Sequence, residues 1–306
     1  MKIIPPITIN DSRFVSSTVA EPASGETAWS SGGTYAVGDV RIRTQTHRKY
    51  QCLLAHTGIT TAPEDDITRW KDVGPTLRWA MFDYDRNTAS TRAGSITATI
   101  VTNTRATALV LFGIDAQEVE VTMRAGSGGP IVYSRSFSLQ QRFVSTWQSH
   151  FFADFIFRES LVLTDLPPYV NGHITVVLSK AVSTDTVALE SLIIGGPINL
   201  GITQRGAESD ILDFSRIERD VFGNANLVPR KNVPKLNANI FAEKADVPAI
   251  RKLRQDYAGR PLVFLGITEG QSAYFDSLSL VGIFRRMTVA VEYPQYALIN
   301  IEAEGI

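Results

Sequence analysis

Between Gly94 and Pro197 short apolar runs alternate with polar positions and are parted by turn residues: GSITATIVT, ATALVLFGI, EVEVTM, PIVYSRSFSL, ESLVLTDL, HITVVLSK and VALESLIIGG. A period of two is the signature of strands with one face buried, and no stretch between these runs carries a helical period. The spacing predicts a two-sheet antiparallel sandwich or jelly roll over 76–198. Leu109-Val110-Leu111-Phe112 is apolar throughout and predicts a central strand, while Gly126 to Pro130 predicts a loop. The segment Phe151 to Phe157, following Trp147 and His150, is dense in aromatics. Core packing is its expected use, and an exposed partner patch is the alternative.

A shorter pattern precedes the sandwich. Over 24–75, Val40, Ile42 and Thr44 alternate as a half-buried strand, a polar turn follows at Gln45 to Arg48, and Tyr50, Cys52 and Leu54 alternate again. Gly38-Asp39 supplies the turn into the first strand. Trp29, Tyr35, Tyr50 and Trp70 are the aromatics of this small hairpin-based module, and Gly74-Pro75 reads as its boundary. Residues 1–23 contain Ile3, Ile4, Ile7, Ile9 and Phe14 around Pro5-Pro6. They predict an extended arm that docks on the C-terminal domain or a neighbour, because such a segment cannot build its own core.

Beyond Gly195-Gly196-Pro197 the pattern changes. Ile211 to Arg230 alternates around a turn at Phe222-Gly223-Asn224. Asp246-Val247-Pro248 opens a predicted helix that stops at Gly259, with Ile250, Leu253 and Tyr257 on one face. Strands are expected at 261–266, 277–282, 287–293 and 296–302. The last domain, 199–306, is therefore α+β, and the chain as a whole is mainly β.

Composition narrows the function. The chain has 306 residues, 44% of them hydrophobic, with 30 basic against 31 acidic residues. A net charge of -1 offers no basic field for a phosphate backbone, so no nucleic-acid partner is expected. The single cysteine, Cys52, rules out an internal disulfide framework. No run of about 18 apolar residues predicts a membrane span. The carboxylates Glu64, Asp65, Asp66, Asp83 and Asp85 and the histidines 47, 56, 150 and 173 show no metal-ligand or nucleophile spacing. Neither a cofactor nor a catalytic metal is expected, and an enzyme is not the favoured reading.

The order Trp29, Tyr35, Gly38-Asp39, Tyr50 and Trp70 resembles the chitin-binding modules of carbohydrate-binding families 5 and 12. In those modules exposed aromatics after the central tyrosine stack on sugar rings; here that stretch is Leu53-Leu54-Ala55-His56. The resemblance implies a glycan site at Trp29, Tyr35, Tyr50, His56 and Trp70. The residues themselves favour the other reading, with Trp29, Tyr35, Tyr50 and Trp70 as the core of a module too small to bury much else and His56 as a turn residue.

A second resemblance spans nearly the whole chain. The ordered set IIPPITI, the small module, RWAMFD, LIIGGPINLG, DFSRIERDVFGNANLVPR and LVGIFRRMTVAVEYPQYALINIEAEG is similar to tail proteins of long-tailed bacteriophages. It implies a structural virion component of the tail tip or baseplate, present in several copies and assembled in the host cytoplasm. Other tail proteins, and a host surface glycan through the small module, are the implied partners. A glycan-binding adhesin and, less favoured, a carbohydrate-active enzyme remain the alternatives.

Overall fold

The computed structural model describes residues 1–141, 146–152, 155–219, 222–230, 232–267, 275–291 and 293–306. Strands dominate and the sheets are antiparallel. The chain divides into two compact units, Thr8–Ile193 and Met1–Ile7 joined with Ile194–Ile306.

Thr8–Ile193 holds the sandwich strands. A five-stranded sheet runs in the order Ile131–Ser138, Glu118–Arg124, His173–Ser179, Ser95–Val101, Phe14–Ser17. Ile96, Ala98 and Ile100 are buried, as are Val119, Val121 and Met123, and Ile174, Val176 and Leu178. Residues between them, such as Thr97, Thr99 and Thr175, fall on the opposite face because side chains alternate across a strand. There the Thr99 and Thr175 hydroxyls meet at 3.1 Å as a cross-strand pair. The four-stranded sheet is ordered Ser160–Leu163, Ala108–Asp115, Thr186–Gly195, Ser90–Ala93. Leu109, Val110 and Leu111 are fully buried in the strand Ala108–Asp115, which has neighbours on both sides. That placement explains their unbroken apolar run.

The small module is a three-stranded sheet, Val40–Arg43, Arg48–Cys52 and Trp70–Pro75, beside the two-stranded pair Thr34–Tyr35 and His56–Thr57. Gly74-Pro75 is not a break in the backbone pattern. It ends the third strand, where Pro75 is buried opposite Arg48.

The second unit is built on an eight-stranded sheet. Its path is Ile198–Asn199, Lys2–Ile4, Leu262–Leu265, Ser279–Ala290, Tyr296–Gly305, Asn232–Glu243, Ile202–Thr203, with Glu208–Asp213 also on Asn232–Glu243. Residues 2–4 are thus an interior strand of this sheet. Lys2 lies opposite both Asn199 and Leu265, and Ile3 opposite both Ile198 and Phe264. Ile3 and Ile4 are wholly buried. The Met1 amino group donates to the Gly201 carbonyl, and burial, with Lys2 nearby, lowers its pKa to about 6. Gly201 has φ +120°, and a side chain there would drive Cβ to 2.1 Å from the Phe241 carbonyl oxygen, so only glycine fits this approach.

The helix spans Val247–Asp256 and buries Ile250 and Leu253 in a core with Met1, Ile3, Leu236 and Phe264. Tyr257 packs on that core and Gly259 takes φ +70° beyond the helix end, as a stop signal should. Asp246 stands at the N-cap, yet makes no side-chain cap bond. Two strand expectations merge, since 279–290 is one strand and 276–278 a short 3-10 turn. The Ile211 to Arg230 segment contributes to Glu208–Asp213 and then forms a separate hairpin, Arg216–Arg219 with Ala225–Val228.

The aromatic segment after 146 departs from the core expectation. Trp147–Phe152 is a short helix in which Trp147 and Phe152 are 82% and 81% exposed, and Phe155 and Ile156 are exposed as well. Residues 153–154 of this segment lie outside the described residues.

Candidate functional site

The module's aromatics converge, but mostly on one another. Tyr35, Tyr50 and Trp70 are only 4%, 6% and 2% exposed and, with Cys52, make the module's buried cluster, on which Trp29 packs. The Tyr35 ring meets Trp70 edge-on at 5.0 Å, and His56 meets Trp70 at 5.4 Å and 83°. Edge-to-face geometry is the favourable one for aromatic quadrupoles, so these contacts fix ring orientation as well as bury area. The Tyr35 hydroxyl donates to the Ser30 carbonyl and accepts from the Ser30 amide, both at 2.8 Å. Any side chain at Gly33 would bring Cβ to 2.7 Å from that hydroxyl.

Covered rings offer no face for a sugar. Of the five residues expected at a glycan site, Trp29 and His56 keep part of their surface in solvent; Tyr35, Tyr50 and Trp70 do not. His56 Nδ1 lies 2.9 Å from the Leu54 carbonyl and 3.8 Å from Cys52 Sγ, which donates to the same carbonyl at 3.2 Å. Burial pushes the Cys52 thiol pKa up, which suits a small packing residue better than a nucleophile.

At the open side, the Arg43 guanidinium lies 4.7 Å from the Trp29 ring centroid and forms a forked pair with Glu64, Nε to Oε2 at 3.1 Å and NH2 to Oε1 at 2.9 Å. Burial would raise the Glu64 pKa, but its hydrogen bonds, led by those from Arg43, leave it lowered. Asp66, nearly buried, accepts from Thr68 Oγ1 at 2.7 Å and Arg69 NH1 at 2.8 Å, which hold its carboxyl below the usual range. Asp83 accepts from Thr88 Oγ1 at 2.6 Å and from the Asp85 amide at 3.0 Å, and burial nonetheless raises its pKa. Asp66 and Asp83 order their own turns, while Glu64 ties its short 3-10 turn to strand Val40–Arg43. Among the described residues, no three of His, Cys, Asp and Glu come together to hold a metal ion.

Sequence reasoning missed a polar node formed by Glu21, His47, Thr76 and Trp79. His47, at φ +55° in the hairpin turn, stacks on Trp79. Its Nδ1 lies 2.9 Å from Glu21 Oε2 and its Nε2 lies 2.8 Å from Asp11 Oδ1. Glu21 also accepts from Thr76 Oγ1 at 2.7 Å and Trp79 Nε1 at 3.2 Å. Only the turn at Gln45 to Arg48 was legible beforehand, since its partners lie 26 residues before His47 and further away along the chain. No helix among the described residues is long and apolar enough to cross a membrane. The chain matches no protein-family model, and no curated protein matches it.

Proposed function

We propose that the protein is a structural subunit of a bacteriophage tail tip or baseplate, present in several copies and held by other tail proteins. The observation that carries this reading is apolar surface left in solvent on both compact units. Trp147 and Phe152 stand out from a one-and-a-half-turn helix, and Ile211, Ile217 and Leu227 are exposed on or beside the hairpin of the second unit. Chains that work alone seldom expose such groups together, whereas subunits of an assembly cover them with neighbours. The ordered phage-tail-like segments supply the kind of assembly. Labelling purified virions with an antibody to this protein and viewing them by negative stain tests the proposal. Signal at the tail end is expected; protein found only in the lysate of infected cells overturns it.

Host attachment through the small module is a second reading, favoured by the part-open Trp29 ring beside the Arg43–Glu64 pair. Aromatic faces flanked by polar forks suit sugar rings, and weak sites gain strength when several copies are displayed. Retention of the full chain on cell-wall polysaccharide, lost in Trp29→Ala, is the expected outcome. Equal retention of the two proteins removes the reading.

A further inference from the structure

Strand Arg216–Arg219 pairs with Ala225–Val228, and among the described residues this two-stranded ribbon joins no further strand. The register sets Ile217 opposite Leu227 and Arg219 opposite Ala225 on one face, with Arg216 opposite Val228 and Glu218 opposite Asn226 on the other. Ile217 and Leu227 are each 62% exposed. Two strands alone are marginal in water, and three or more strands, or a covering element, are what makes such a ribbon stable. The outer edge of Arg216–Arg219 also carries backbone groups that a third strand would satisfy.

The side chains along that edge say which strand fits. We propose that two copies of this chain join here, edge to edge and antiparallel, about a twofold axis through Ile217. In that register Ile217 meets Ile217 of the second copy, Arg216 meets its Glu218, and Glu218 meets its Arg216. Arg216 and Glu218 already approach within the chain, at 3.4 Å in an exposed pair. Bringing two such pairs together builds an alternating square of four charges. Neighbouring symmetric registers are worse. An axis through Arg216 sets arginine against arginine, and one through Glu218 sets glutamate against glutamate; like charges directly opposite are destabilising. Self-complementarity of this kind is what a twofold interface requires, because the same patch must serve both sides. The inference is independent of the tail assignment, since it is read on one hairpin of the isolated chain.

Charge reversal tests it. Sedimentation of the full chain up to about 1 mM, a range that detects even weak association, should show a monomer–dimer equilibrium. Arg216→Glu alone and Glu218→Arg alone each turn two attractive pairs into repulsive ones, and each should weaken dimerisation by about tenfold. The double variant Arg216→Glu/Glu218→Arg restores the pairing and should restore the dimer. All three positions of the strand used here are exposed, so circular dichroism should report an unchanged fold for every variant. Ile217→Cys, on the axis, should form a disulfide-linked dimer on mild oxidation, and Leu227→Cys, on the inner strand, should not. A chain that stays monomeric, single and double reversals that behave alike, or closure into rings larger than a dimer overturns the proposal.

Discussion

The imidazole of His47 lies nearly parallel to the indole of Trp79, with ring centroids 4.1 Å apart and planes 22° from one another. Both ring nitrogens meanwhile face carboxylate oxygens, Nδ1 that of Glu21 and Nε2 that of Asp11. The ring is thus held on its face by the indole and at both nitrogens by carboxylates. Glu21, at 6% side-chain exposure, needs that partner more than Asp11, which is mostly in solvent. His47→Phe keeps the stacking and strands Glu21 with only its Thr76 and Trp79 donors. It should cost about 1–3 kcal/mol by thermal or denaturant unfolding. In the His47→Phe/Glu21→Gln double variant the loss should fall short of the sum, because the charge left unpaired is gone.

Trp70 is the least exposed ring of the module, and its indole Nε1 has no hydrogen-bond partner among the described residues. Trp70→Ala should cost about 3–5 kcal/mol through the cavity it leaves. Trp70→Phe should cost at most about 2 kcal/mol, since it keeps the ring contacts with Tyr35 and His56 and removes the unpaired donor. Hydrogen exchange of the amides in Arg48–Cys52 reads both, and equal acceleration in the two variants contradicts this account.

Asp66 gives the module an acid limit. Its carboxyl pKa is held down by Thr68 and Arg69, so the ionised form is the one the fold prefers. Stability from this group is full above the unfolded value near 3.9 and is lost as pH falls through the lower folded value. Asp66→Ala should therefore cost about 2 kcal/mol at pH 7, with the gap to the unchanged protein closing under strong acid. Unfolding curves of both proteins at a series of pH values check the sign.

Removing residues 1–7 should unfold the second unit. The sequence alone predicts an extended arm that docks on the C-terminal domain or a neighbour. In the fold, its strand lies between Ile198–Asn199 and Leu262–Leu265. Ile3 and Ile4 each contribute about 1.5–3 kcal/mol of burial, a large share of a typical domain stability of about 5–15 kcal/mol. Hydrogen exchange should show lost protection in Leu262–Leu265 and Ser279–Ala290, with the Thr8–Ile193 strands unchanged.

Much of this fold was legible. The alternation from Gly94 to Pro197 gave strands because Ser95–Val101, Glu118–Arg124 and His173–Ser179 each bury every second residue, and Asp246, Pro248 and Gly259 bracketed the helix. The long strand Asn232–Glu243 was not, although Leu236, Ala238, Ile240 and Ala242 are its buried positions. Pro234 and three asparagines dilute that alternation, and two of its inward residues are only alanine. Hydrophobicity also misplaced Trp147–Phe152, because it reports which side chains gain from burial and not whether this chain supplies the cover. In the module the aromatic framework and its use as a core were readable, because a module this small has little else to bury, whereas the polar node around His47 joins residues too far apart along the chain for spacing to bring together.

The seating of Ile3 opposite Phe264 ties the order of folding to the order of synthesis. Strand Lys2–Ile4 leaves the ribosome well before its partner Leu262–Leu265, which follows only after the whole Thr8–Ile193 unit has emerged. Domains fold as units during synthesis, so that unit can be complete while Ile3 and Ile4 still wait for their partner strand. Ile3 and Ile4 are then exposed for most of translation, and the paired prolines that follow them are poor material for a wrong strand pairing. The sheet that holds Lys2–Ile4 therefore closes after the Thr8–Ile193 unit, with that strand as the seam.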